Sequence, residues 1–149
     1  MSWTETAFPQ RMLNDPELTG QIATFQGQPA VFSYLFIPPT DPPLVKPYII
    51  TEGDAAYVPQ DFKGTEMADG MREIRVYGLK KYGVDPVKAV AQRIRNLFRS
   101  ATLAAGEVMF PNAPINLINC KAIGPLFAPV EGAYVGRLVR VMFKLEELE

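Results

Sequence analysis

Hydrophobic and polar positions alternate most regularly near the C-terminus, between Tyr134 and Leu145. A period of two residues is that of a β-strand with one side against a core. The pattern therefore predicts a long strand, the clearest in the chain. One side of it carries Val135, Arg137, Val139, Val141, Phe143 and Leu145.

Within the segment Arg72–Ala101, the pattern of apolar residues changes from one typical of a strand to one typical of a helix. Its first part, REIRVYGLKKY, is rich in β-branched and aromatic residues, which predicts a strand that is broken at Gly83. Asp85-Pro86 then combines an N-cap acceptor with a proline suited to the first helical turn. Apolar residues at steps of three and four predict an amphipathic helix after this turn. They are Val87, Val90, Ala91, Ile94, Leu97, Phe98 and Ala101.

The N-terminal segment Ser2–Leu18 predicts another helix. Ser2 and Glu5 have the spacing of a capping box, and Pro9 is expected to interrupt or bend the helix. The sequence Asn14-Asp15-Pro16 either ends this helix or caps a second short turn. The apolar side is expected to consist of Phe8, Met12 and Leu13.

Three further strands are predicted, at Ala30–Ile37, Pro47–Thr51 and Ile115–Ile123. The first is apolar at nearly every position, as expected for a strand that is covered on both faces. The prolines of Pro38–Pro43 exclude a central strand and predict a stiff, extended connector. The third strand is expected to end at Gly124-Pro125.

The polar segment Glu52–Gly70 predicts a long loop, because glycines and prolines interrupt every period within it. Its scattered apolar side chains are expected to contact a partner or a neighbouring subunit. These candidate residues of a subunit interface are Tyr57, Phe62 and Met67.

The predicted elements follow in the order helix, strand, strand, strand, helix, strand, strand. A single antiparallel or mixed β-sheet with helices packed on one face accommodates this order, which places the chain in the α+β class. A length of 149 residues suits one domain. Because no internal repeat divides the chain, residues 1–149 are expected to form a single domain.

The composition argues against an enzyme. The chain has no histidine, which removes the usual base at neutral pH and the usual transition-metal ligand. The single cysteine, Cys120, excludes an intrachain disulfide and a multi-cysteine zinc site, and is expected to be a buried packing residue. No phosphate-binding glycine loop or nucleophile elbow is present in the sequence. We therefore expect no catalytic residues, no metal and no cofactor.

No apolar run reaches the roughly 18–20 residues that span a bilayer, and no basic segment followed by an apolar one begins the chain. We therefore expect no association with a membrane. Charge is nearly balanced, at 15 basic and 16 acidic side chains, so no global field points to nucleic acid.

The predicted helix nevertheless carries a basic strip opposite its apolar stripe, formed by Lys88, Arg95 and Arg99, with Arg93 at its border. Two interpretations stay open. The strip is either a solvated helix face or a surface that meets DNA phosphates or an acidic neighbour without reading base sequence.

The order of these patterns resembles a protein family. From about Ala30 onward it is similar to the tail completion or tail terminator proteins of long-tailed bacteriophages, which also occur in prophages and phage-derived particles. The motifs that carry the resemblance are Pro47-Tyr48-Ile49-Ile50, the strand Arg72–Leu79, the turn Gly83-Val84-Asp85, the helix positions Ala91, Ile94 and Leu97, and the final strand Arg137–Lys144.

The resemblance implies an α+β domain that assembles as a hexameric ring on the end of the finished tail tube. Such a ring stops tube polymerisation, joins the tail to the head and neck, and lets DNA pass non-specifically through its lumen, without catalysis. The implied partners are further copies of the chain, the tail-tube protein and a neck or head-completion protein. The implied location is the virion tail or neck, after assembly in the host cytoplasm.

Two alternatives stay open. Another neck component, such as a head-completion or stopper protein, has the same size and the same lack of catalysis. A small metal-dependent enzyme would instead use carboxylates of the loops. In a ring, the basic strip would line the lumen or face a partner, and the apolar residues of the predicted loop would lie between subunits.

Overall fold

A computed structural model describes residues 2–32, 44–51, 56–62, 65–128, 130 and 132–148, with the backbone only at 2, 56–62, 65 and 66. Helices and strands account for most of these residues. In chain order they are α1 (Ser2–Leu13), α2 (Pro16–Gln21), β1 (Thr24–Phe25), β2 (Gln28–Pro29), β3 (Val31–Phe32), β4 (Tyr48–Thr51), β5 (Ala56–Phe62), β6 (Thr65–Leu79), α3 (Asp85–Leu97), β7 (Ile115–Phe127) and β8 (Tyr134–Glu147). Short 3-10 helices, Lys80–Tyr82 and Ser100–Thr102, flank α3.

A six-stranded mixed sheet forms the centre of the fold, in the order β3-β4-β6-β8-β7. The strand β5 pairs with the first half of β6, and β4 pairs with its second half. All pairs are antiparallel except β3–β4. The predicted α+β class is therefore confirmed, and the hairpin β1–β2 is an addition to the predicted sheet.

The amphipathic helix is α3, which packs on β6, β7 and β8 through its buried apolar stripe. Its ends differ from the prediction. Val84 is the N-cap residue, and Asp85 already lies inside the first turn. The helix ends at Leu97, and the Thr102 hydroxyl donates to the Asn96 carbonyl of its last turn at 2.6 Å and to the Arg99 carbonyl just beyond it at 2.9 Å. Ala101 is consequently exposed in the next turn.

The helix α1 continues through Pro9, and Asp15 caps the separate helix α2 by accepting a hydrogen bond from a backbone N–H of its first turn at 3.0 Å. Phe8 and Met12 are fully buried as predicted, whereas Leu13 is 43% exposed. The prediction for Leu13 is wrong because the residue after Met12 lies about 100° further round a helix.

The segment Glu52–Gly70 was predicted as a loop, and this prediction is wrong: β5 and the first part of β6 form a hairpin there. Gly70 lies inside β6, where the ring of Phe143 fills the space that a Cβ would occupy. Pro59 lies in β5, which pairs only with β6 among the described residues, and an edge strand tolerates proline. The sheet therefore accommodates both Gly70 and Pro59, although each residue type normally interrupts a strand. Residues 52–55, 63 and 64 are outside the described part.

The strand β7 passes through Gly124-Pro125, where the sequence predicted its end. Gly124 has a φ of 138°, which side chains rarely permit, and the register with β8 shifts between Ile123 and Leu126. A bulge of this kind bends a strand without ending it.

The other predicted strands have mixed outcomes. The segment Pro47–Thr51 is confirmed as β4, and the C-terminal alternation is confirmed as β8. Of Ala30–Ile37, the structure describes Val31–Phe32 as β3. Ala30 is described but precedes the strand, whereas Ser33–Ile37 and the connector Pro38–Pro43 lie outside the described residues.

The main core lies between the sheet and the three helices. A smaller apolar cluster covers part of the opposite sheet face, next to the hairpin β1–β2; its members are Ala23, Ala30, Tyr48, Ile50 and Tyr77. Over the rest of that face, no helix lies among the residues that the structure describes. We call this remaining area the open face.

The fully buried Arg72 connects the sheet with helix α1. The Nε of Arg72 donates to Thr51 Oγ1 of β4 at 2.8 Å, and its Nη1 lies 3.5 Å from Glu5 Oε1 of α1. The guanidinium carbon stands 5.3 Å from the centroid of the Phe8 ring. Arg72 therefore joins α1, β4 and β6, a role that the strand pattern of the sequence does not indicate.

Candidate functional site

The predicted basic strip lies on the outer side of α3. Lys88 is exposed, and Arg95 and Arg99 are partly exposed, with Arg99 just beyond the helix end. Within the described residues, the ion pairs include none of these three cations. The strip can therefore meet an external anion without first losing an ion pair to a described residue.

Arg93, at the border of the strip, is bound inside the molecule. Its Nε and Nη2 each donate to the Asp15 carboxylate at 2.7 Å, and its Nη1 lies 3.2 Å from Glu17 Oε2. The hydrogen bonds from Arg93 are the main reason that the pKa of Asp15 is lowered from its ordinary value of 3.8. Arg93 consequently fastens α3 to the cap of α2.

The candidate interface residues of the predicted loop lie on the β5–β6 hairpin, but not on one surface. The register pairs Tyr57 with Gly70 of the helix-covered face. Met67, at an odd-numbered position of β6, belongs to the open face, and Phe62 pairs with Thr65 of the same face. The three positions are thus close along the hairpin but divided between the two sides of the sheet.

The open face is a polar surface that the sequence did not reveal. Along this face, two cross-strand pairs of oppositely charged residues flank a pair of methionines. The register of β6 and β8 sets this order. The Glu73 and Arg140 side chains approach to 3.5 Å. The successive pairs are Asp69 with Lys144, Met71 with Met142, and Glu73 with Arg140.

A groove of about 670 Å³ lies between α1, the end of α3 and the segment 107–114. Arg11 crosses one side of it, donating from Nε to the Leu97 carbonyl at 2.6 Å and pairing with Glu107 at 3.2 Å. The other ion pair that lines the groove is Arg93–Asp15. Because these charges are neutralised within the chain, the groove presents no charge signature for a ligand.

Cys120 is buried, as predicted. Its thiol donates to the Phe98 carbonyl at 3.1 Å, and its backbone N–H donates to Ser100 Oγ at 2.9 Å. Burial raises the pKa of this thiol to about 12. At neutral pH it is protonated and therefore a poor nucleophile.

Among the described residues, no cluster of three or more histidine, cysteine, aspartate or glutamate side chains could hold a metal ion. In the same part of the chain, no helix has the length and apolar character needed to cross a membrane.

No family model and no curated protein matches the sequence. Among solved structures, the fold is similar to that of a chain in the virion of a native gene transfer agent particle, with a TM-score of 0.64 and 20% sequence identity. The similarity covers 96% of this chain and 92% of the other. It extends over nearly the whole of both chains, so the two have the same overall architecture.

Proposed function

We propose that this chain is a non-enzymatic structural protein of a phage-like virion, and more narrowly a tail terminator. In this role its copies form a hexameric ring that caps the tail tube and joins it to the neck of the DNA-filled head. The observation that carries the proposal is the shared fold with a chain of a gene transfer agent virion over 96% of this chain. The order of sequence motifs supports the narrower assignment to the terminator.

The distribution of surfaces is consistent with assembly. In a ring, each subunit contacts its two neighbours through two different surfaces. The ring closes when the rotations between successive neighbours add up to a full turn. The helix layer of this chain covers one face of the sheet, whereas the other face is partly open and bears charged and methionine side chains. Two such unlike faces suit a subunit that contacts one component on one side and a different one on the other.

The test uses the length of tail tubes. Purified tube protein is allowed to polymerise with and without the chain, and tube lengths and ends are examined by electron microscopy. A terminator caps one end of each tube, stops its growth and co-purifies with tails that lack heads. Growth that continues unchanged, together with recovery of the chain only on filled heads, would instead identify a head-completion or stopper protein.

The role of the basic strip has its own test. Reversing Arg95 and Arg99 to glutamate should preserve the fold, because both side chains are partly exposed and neither forms an ion pair among the described residues. If the strip contacts DNA phosphates in the lumen, the yield of infectious or DNA-transferring particles should fall. Lys46→Glu, a reversal at an exposed lysine outside the strip, is the control. An undiminished yield would make the strip an ordinary solvated surface.

A further inference from the structure

Phe127, the last residue of β7, protrudes from the surface of the subunit. It is 75% exposed, a larger fraction than that of any other large apolar residue among those the structure describes. The guanidinium carbon of Arg137 lies 5.7 Å from its ring centroid, and Arg137 Nη1 donates to the Gly136 carbonyl at 2.8 Å. Burial of an exposed aromatic ring in an apolar site is favourable, so Phe127 is a candidate contact residue. We call it the knob.

The groove between α1, the end of α3 and the segment 107–114 lies beside the other end of β7, because Pro114 lines it and Ile115 begins the strand. Two aromatic rings in its wall, those of Trp3 and Phe110, are 5.5 Å apart between centroids. Val108 of the wall is 63% exposed. The volume of about 670 Å³ lies within the roughly 300–1,000 Å³ of pockets that enclose a compact ligand. The groove can therefore hold a large side chain.

The charged side chains of the groove are already paired within the subunit. Arg11 pairs with Glu107 at 3.2 Å, and Arg93 pairs with Asp15 at 2.7 Å. A charged ligand would have to compete with these pairs, whereas an uncharged aromatic side chain can pack on the apolar part of the wall and on its rings. The groove is therefore better suited to an apolar side chain than to a phosphate group.

The knob cannot reach the groove of its own subunit. The strand β7 has 13 residues, which at about 3.3 Å per residue extend over roughly 40 Å. Its pairing with β8 from Ile115 to Phe127 prevents it from folding back. One chain thus carries an exposed aromatic side chain at one end of β7 and a neutral, partly apolar groove at the other.

We propose that Phe127 of one copy of this chain packs into the groove of the next copy, head to tail. The partner is a second copy because the same chain supplies both the knob and the groove, which cannot meet within one subunit. A contact between two different surfaces is the kind that closes into a ring. The inference therefore rests on the proposed ring function and identifies a contact of its subunit interface.

Two substitutions at exposed positions disable the two sides separately. Phe127→Ser removes the knob, and Val108→Asp places a charge in the wall of the groove. Each variant should keep its fold but self-associate about tenfold or more weakly, because an apolar contact is lost or a charge must be buried. Phe127→Leu, which keeps an apolar side chain, should retain most of the association. The matched control is Val45→Asp, because Val45 is 59% exposed and belongs neither to the groove lining nor to β7.

Mixing the two variants gives the decisive measurement. Phe127→Ser keeps an intact groove and Val108→Asp keeps an intact knob, so the two together can form one complete contact but not a second. At a concentration where wild type forms rings, native mass spectrometry of the mixture should show a heterodimer with one copy of each variant and no closed ring. Each variant alone should stay monomeric.

The fluorescence of Trp3 reports on the groove itself, because Trp3 is the only tryptophan of the chain and lines the groove. Its emission should change when wild type is concentrated and when the two variants are mixed. It should stay constant when Phe127→Ser is concentrated alone. If wild type forms rings only on tail tubes, the same variants are compared by their occupancy of tube ends, where Val45→Asp should bind and the other two should not.

Some outcomes would overturn this docking while leaving the ring function in place. Rings that persist in folded Phe127→Ser or Val108→Asp would do so, as would a mixture that stays dissociated or an equal loss of association in Val45→Asp. Rings of Val108→Asp that form normally but no longer attach to tail tubes would assign the groove to the tube protein instead. A wild-type chain that stays monomeric even on tail tubes would, by contrast, refute the proposed function itself.

Discussion

Replacement of Gly70 by alanine tests the packing between β6 and β8. The register places Gly70 opposite Phe143, and the ring of Phe143 lies where an alanine Cβ would be. The ring is held in place by Trp3 and Phe8, whose ring centroids are 5.7 and 5.6 Å away. It therefore cannot swing aside without disturbing the aromatic core.

The expected cost follows from two opposed effects. Forcing an extra methyl group into a packed core typically costs about 1–3 kcal/mol. Replacing glycine by alanine recovers about 0.5–1 kcal/mol, because the unfolded chain loses conformational freedom. Because the Phe143 ring cannot move aside, the packing cost should lie in the upper part of its range. Gly70→Ala should therefore lower the free energy of unfolding by about 1–2.5 kcal/mol, which in a domain of this size lowers the melting temperature by roughly 2–10 °C.

Urea denaturation and thermal melting measure this change, and Gly20→Ala is the matched control. Gly20 lies in α2 with no heavy atom within 4 Å of its added Cβ, so its replacement should be neutral or slightly stabilising. In a Phe143→Leu background, Gly70→Ala should cost much less, because the smaller side chain leaves room. The reasoning is refuted if Gly70→Ala is neutral, or if its cost is the same in both backgrounds.

Two further predictions concern ionisable groups. Asp15→Asn should preserve the cap of α2 but lose the charge-assisted bonds from Arg93, lowering stability at pH 7 by about 1–2 kcal/mol. The pKa of Asp15 in the folded chain lies below its ordinary value of 3.8. The difference in stability between wild type and Asp15→Asn, measured by urea denaturation, should therefore be complete above pH 3.8. It should disappear as the pH falls through the lowered pKa. For Cys120, whose pKa is raised to about 12 by burial, a thiol reagent at pH 8 should react slowly in native protein and rapidly in urea. Fast labelling of the folded chain would show that the thiol is accessible.

The strongly periodic elements could be predicted from the sequence because their pattern is local. The buried stripe of α3 and the alternation of β8 each repeat over enough residues to identify the element. The β5–β6 hairpin could not be predicted, since Gly70 and Pro59 are strand breakers by propensity alone. Gly70 is suited to β6 only because Phe143, more than seventy positions later, fills the space beside it.

The buried Arg72 and the open face depended even more on distant partners. The strand pattern gives Arg72 no special place, yet the fold surrounds it with Thr51, Glu5 and Phe8. Likewise, Met71 and Met142 become neighbours on the open face only through the register of β6 and β8. The basic strip of α3 was predictable because its positions follow from helical spacing within a single element.

The net charge of the chain likewise does not predict where charges lie in the fold, and it also bears on assembly. A formal charge of −1 means only that the chain as a whole produces no strong field that points to nucleic acid. The strand directions nevertheless place Lys80 and Lys81 at one end of β6 and Glu66 at the other. A subunit that is strongly charged overall would repel its own copies more with every addition to a ring. A nearly neutral subunit avoids this accumulation, which is consistent with the proposed ring.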